Sequence, residues 1–177
     1  MIVLSWLLLV SGAARAEGPN EEAWIEMVEV CFTVIADQSD AIMKGFPAAT
    51  TLLNLAPLPE RAVRHPNSPV IASAVSDGSR WFMCLVAGNP AVKAAESGGL
   101  VGTITETLAN QINRSDDHAL VLKDAFAPVR VTCQDNGGMT ATLAFLNEDK
   151  EFRVAVANNL PSSVENPCLA AEEETDR

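Results

Sequence analysis

The sequence predicts an α+β fold: one domain, with two helical regions packed on an antiparallel sheet and disulfides reinforcing it. Three observations carry this. An amphipathic helical stretch near the N-terminus is followed by a hairpin pattern. A later meander alternates apolar and polar residues cleanly. Four cysteines, Cys31, Cys84, Cys133 and Cys168, are spread over separate elements. The predicted order is α-β-β-α-β-β-β, in which strands follow one another without a helix between each pair, as antiparallel sheets allow.

The chain opens on "MIVLSWLLLV", followed by "SGAARA". Ala14-Arg15-Ala16 has the form a signal peptidase cuts, so residues 1–16 are expected to be a signal peptide. The apolar run lacks a leading basic residue and is shorter than the ~20 residues a membrane span needs. Residues 17–168 are expected to form the single domain, and residues 169–177, "LAAEEETDR", a short acidic disordered tail.

"PNEEAWIEMVEVCFTVIADQSDAIMKGFP" is the clearest helix. Asn20 can cap it, and Glu21 and Glu22 suit its positive end. Trp24, Val28, Cys31 and Ile35 recur on one side, and Glu22, Glu26, Glu29, Thr33 and Asp37 on the other. Lys44, Gly45 and Pro47 read as its stop. Residues 47–69 hold Pro47, Pro57, Pro59, Pro66 and Pro69 and read as a loop.

"PVIASAV" and "RWFMCLVA", joined around Asp77-Gly78, read as a hairpin. On the second strand Trp81, Met83 and Leu85 are expected on one face and Phe82, Cys84 and Val86 on the other. Both faces are apolar, so both need cover. "NPAVKAAESGGLVGTITETLANQINRSDD" reads as a second helical region that Pro90 can open and Gly98-Gly99 breaks. Leu100, Ile104, Leu108 and Ile112 mark one side of its longer piece.

The meander is "VRVTCQDN", "GMTATLAFLN" and "EFRVAVAN". Val129, Val131, Cys133, Ala141, Leu143, Phe145, Phe152, Val154 and Val156 are expected to point inward. Arg130, Thr132, Gln134, Thr140, Thr142 and Arg153 are expected to point outward.

An even cysteine count behind a signal peptide reads as bridges, and four cysteines allow three pairings. The favoured pairing is Cys31–Cys84, tying helix to sheet, with Cys133–Cys168 pinning the chain end. A reactive Cys84 is disfavoured, because its neighbours Met83 and Leu85 are apolar and raise a thiol's pKa.

The chain has 12 basic and 23 acidic residues and a net charge of −11, which becomes −12 when Arg15 leaves with the signal. Such a chain repels nucleic acid and anionic lipid. No nucleic-acid partner is expected, and no membrane span after signal cleavage. There is no G-x-S-x-G, no P-loop lysine after "SGGLVG", and no zinc or EF-hand spacing around His65 or His118. No metal site and no cofactor are expected. His118 with Asp116 and Asp117 is the one arrangement that could pair a base with an orienting carboxylate.

These readings converge on a periplasmic or secreted, non-enzymatic binding or accessory protein. Its partner would be a protein or a small ligand held on a sheet face. The candidate residues are Arg130, Arg153, Thr132 and Thr140 on the outward face, and Trp81 and Met83 in the apolar row. The alternatives are a small hydrolase centred near His118 and an envelope protein that forms a homo-oligomer.

Overall fold

The computed structural model describes residues 21–51, 53, 60–93, 99–112, 117–123, 128–134, 138–160, 162 and 164–170. The expected signal peptide, Asp116, and residues 171–177 of the expected tail lie outside them.

Helices and an antiparallel sheet make up the fold, as expected. Helix α1 spans Glu21–Asp37, and a 3₁₀ turn follows at Ala41–Gly45. The strands are β1 (Glu60–Arg64), β2 (Val70–Ser76), β3 (Trp81–Gly88), β4 (His118–Leu120), β5 (Val129–Cys133), β6 (Met139–Leu146) and β7 (Phe152–Ala157). Helix α2 spans Leu100–Ile112, between β3 and β4, and a short helical turn, α3, spans Pro167–Ala170. The seven strands form one sheet in the order β1-β2-β3-β7-β6-β5-β4, with every pairing antiparallel. Two meanders therefore meet where β3 pairs with β7.

Helix α1 stops earlier than the sequence suggested, at Gln38 rather than at Lys44-Gly45. Gln38 adopts φ 53, a left-handed conformation that ends a helix. Its side chain fixes the break. Nε2 donates to the carbonyl oxygens of Ile35 (2.7 Å) and Trp81 (2.8 Å), and Oε1 accepts from the Trp81 amide (3.0 Å). One side chain thus ends α1 and anchors it to the start of β3.

Two strands were not foreseen. Strand β1 lies in the segment read as loop, and β4 lies in "HALVLKDAFAP". Helix α2 starts only after Gly99. Residues 91–93 before it are not helical, and Lys93 forms an isolated bridge with Glu151. The Asn89–Pro90 bond there is cis. Gly88 permits the fold-back: a Cβ at this position would sit 2.7 Å from Val92 Cγ2 and 2.9 Å from the Pro90 carbonyl oxygen.

The main core lies between α1 and the sheet. Trp24, Met27, Cys31, Val34 and Ile35 pack on Val70, Ala72, Ala74, Cys84, Val86, Phe152, Val154 and Val156. Trp24 and Phe152 meet with ring centroids 5.1 Å apart. From α2, Ile104 and Leu108 join the same core. A smaller cluster lies on the opposite face, where Val129, Val131, Met139, Ala141 and Cys168 pack with Leu120, Leu122, Leu143 and Leu160.

Both expected disulfides are present. Cys31–Cys84 joins α1 to β3 with Cα atoms 5.3 Å apart, and Cys133–Cys168 joins β5 to α3 at 5.4 Å. All four cysteines are thereby bridged. Among the described residues no helix is long and apolar enough to cross a membrane.

Candidate functional site

The pairing register tests which predicted site residues share a face. Arg130 pairs with Thr142 and Thr132 with Thr140, while Thr142 pairs with Val156. Residues paired across an antiparallel sheet lie on the same side. Arg130, Thr132, Thr140 and Thr142 therefore share the side of Val156 and Cys84, which α1 covers. Thr140 and Thr142 are buried, not outward. Arg153 pairs with Phe145 and Ala87, on the other side. The expected single outward face carrying both arginines does not exist. The alternation of the meander was read correctly within β5 and within β7, but their relative phase was not. A periodicity of two carries no information about which side of the neighbouring strand a residue meets.

Arg130 is a structural hub. Its Nε donates to Asp117 Oδ2 (2.5 Å) and its Nη1 to Gln111 Oε1 (3.0 Å). Gln111 Nε2 in turn donates to Glu29 Oε1 on α1 (3.1 Å). The guanidinium carbon lies 5.1 Å from the centre of the Phe32 ring, a cation–π contact. One half-buried cation thus ties β5 to α1, to α2 and to the segment before β4. This arrangement also bears on the hydrolase alternative, because Asp117 engages Arg130 and not His118, which sits in β4 opposite Val131.

The apolar row is also rearranged. A bulge at the Ser76–Trp81 pairing shifts the register, so that Val75 faces Met83. Bulges re-aim side chains. Trp81 packs against the helix-side core, while Met83 and Leu85 stay on the second face. The sequence expectation of Trp81 and Met83 in one row is corrected accordingly.

Arg153 and Leu85 lie on one side of the sheet, together with Phe145. With Leu53 and the β6–β7 turn, Asn147–Asp149, they line a cleft of about 640 Å³. Charge at its rim is ordered by Glu151. Arg153 Nη2 donates to Glu151 Oε2 (2.8 Å), as does Asn147 Nδ2 (3.0 Å), and Lys93 Nζ reaches Oε1 at 3.3 Å. These hydrogen bonds, Arg153 first and Asn147 next, hold the Glu151 carboxyl below its ordinary range against the opposing effect of desolvation. Asp77, in the β2–β3 turn, is lowered to about 2 because Ser79 donates to it from hydroxyl and backbone, joined by the Arg80 amide.

A third region escaped sequence reasoning. Arg64, at the end of β1, lines a cavity of about 380 Å³ with the β1–β2 turn and Asn89. The signal was a basic residue beside "HPNSP" in an acidic chain, inside a stretch dismissed as loop. No group of three or more His, Cys, Asp or Glu side chains able to hold a metal occurs among the described residues.

Against this geometry, comparison with protein families, with curated proteins and with solved structures gives no match. The fold and its surfaces alone carry the functional reading.

Proposed function

We propose that this is a non-enzymatic binding or accessory protein of the periplasm or extracellular space, acting through the second face of its sheet. The observation that carries the reading is the cleft of Leu85, Phe145 and Arg153. It sets the apolar side chains Leu53, Leu85 and Phe145 in a largely polar lining of Asn147, Glu148, Asp149 and Arg153, with Arg153 and Asn147 held by Glu151. A concave surface that sets polar groups beside apolar side chains can fix a ligand's orientation. The two bridges support an oxidising compartment, because disulfides persist there and cytosolic thiols are kept reduced.

The test compares wild-type protein with Arg153→Ala, Phe145→Ser and a surface control, Arg80→Ala. Each is immobilised and exposed to envelope and culture-fluid fractions of the source cell. Specific capture by wild type and Arg80→Ala, lost in Arg153→Ala and Phe145→Ser with circular dichroism unchanged, supports the site. Capture that survives both substitutions discards it. Turnover in a hydrolase screen, abolished by His118→Ala, would replace the binding reading with the enzymatic one.

A further inference from the structure

The geometry points to a second site, independent of that cleft: a pocket at the β1–β2 end of the sheet that takes the carboxylate of a small organic anion, with Arg64 as its counter-charge. The starting observation is electrostatic. In a chain of net charge −11, Arg61, Arg80, Arg130 and Arg153 each lie within 4 Å of a carboxylate oxygen. Arg64 has no such partner among the described residues, and it lines the cavity of about 380 Å³. The other described polar residues of the lining are Thr50, Asn67, Ser68 and Asn89, all neutral, and no Asp or Glu is among the described lining residues. In so acidic a molecule a cation left unpaired in a concave, carboxylate-free surface favours an anion from solution.

A second observation concerns hydrogen bonding. The Ser68 hydroxyl is buried with no hydrogen-bond partner in the described protein, and Ser68 belongs to the same lining. That oxygen is closed to solvent, so it belongs to the wall of the pocket and is not a contact for the ligand. The walls are also held in place. His65 N donates to Val70 O (2.8 Å), and His65 Nδ1 accepts from the Asn67 amide (3.2 Å), which leaves Nε2 as the donor to Glu26 on α1 (2.9 Å). Asn89 N donates to Pro69 O (2.7 Å), which fixes the far wall to the turn. The pocket is therefore ordered before any ligand arrives, which lowers the entropy lost on binding.

Carboxylate is favoured over phosphate on charge count. One guanidinium offers a planar fork that matches a carboxylate and neutralises one negative charge. A phosphate dianion would leave excess negative charge on an already acidic protein.

The experiment titrates disulfide-intact protein with benzoate, with benzamide as its neutral counterpart, and with inorganic phosphate, following backbone amide shifts by NMR. Benzoate is expected to move the Asn67, Ser68 and Asn89 amides saturably, with Kd on the order of 1 mM or tighter. Benzamide and phosphate should be at least tenfold weaker. Arg64→Gln should weaken benzoate at least tenfold, and Arg64→Lys less. Arg64 is exposed, so these variants should fold, and unchanged spectra elsewhere verify it. Absence of a saturable shift, equal affinity for benzamide, or full binding by Arg64→Gln would overturn the site. Tighter binding of phosphate than of benzoate would overturn the assignment to carboxylates.

Discussion

The two sides of the sheet are stabilised in different ways. On the helix side one continuous apolar cluster runs from Val63 through Val70, Val86 and Phe152 to Ala144, with α1 across it and Cys31–Cys84 bolting the layers together. On the second side a smaller cluster joins β5, β6 and Cys168 of α3 and is held by Cys133–Cys168, while Ile71, Val75 and Ala87 are buried apart from it. Both sides of β3 are apolar in sequence, yet only one acquires a helical layer. The difference teaches that a hydrophobic strand predicts burial without predicting what provides it. A helix covers one face here, and loops and a cross-linked chain end cover part of the other.

The most severe way to break this contrast is to remove the bridges one at a time. Cys31→Ala with Cys84→Ala loses the loop-closure contribution of a 53-residue separation, about 4 kcal/mol, and opens space where both sulfurs are fully buried. Global unfolding by denaturant should shift by about 5 kcal/mol. Cys133→Ala with Cys168→Ala should shift it less, because Cys133 is exposed and α3 can detach while the sheet persists. Hydrogen exchange should then rise selectively in residues 160–170. Equal global losses from the two pairs would refute the asymmetry.

Next in size is the Arg130 hub. Arg130→Ala leaves Asp117, whose side chain is only 4 % exposed, without its cation, and should cost about 3–5 kcal/mol. Arg153→Ala, its counterpart on the second side, should cost less, about 2 kcal/mol, because Glu151 is more exposed than Asp117 and keeps Asn147 and Lys93 as partners. A smaller effect is expected at the end of α1. Gln38→Gly relieves the positive φ but loses three side-chain hydrogen bonds, and a net loss of about 1–2 kcal/mol is expected in the same assay.

The smallest effect is on pH. Asp77 and Glu151 both have folded-state pKa values below their unfolded ones. Each therefore contributes stability above its unfolded pKa and loses it as pH falls. For Asp77 the window runs from about 4 down to about 2. Denaturant midpoints should fall across this window, and Asp77→Asn should flatten the slope slightly. A stability that rises on acidification there would contradict the assigned hydrogen bonds.

How much of this was legible depended on position in the sheet. Helix α1, strands β2, β3, β5, β6 and β7, and both disulfides could be read because their apolar residues repeat at the spacing their burial demands. Strands β1 and β4 could not, and they are the two edges of the sheet. Edge strands carry charged and polar residues, as in Glu60-Arg61-Ala62-Val63-Arg64, and so resemble loops in composition. The candidate site was legible only in fragments. Of the expected contact residues only Arg153 lines the cleft; its grouping with Arg130 failed on strand phase, and that of Met83 with Trp81 on a bulge. Neither leaves a trace in local periodicity. Arg64 was missed together with β1, since a residue can be weighed as part of a wall only once its strand is recognised.

Strand β7 is the last to be made and sits between β3 and β6. Until residue 157 has emerged, the earlier strands are two separate ribbons, each with a raw hydrogen-bonding border where its neighbour belongs. Before that point α1, packed on β3 and linked to β5 through Arg130 and Phe32, spans the two ribbons, and the sheet itself closes only when β7 is in place.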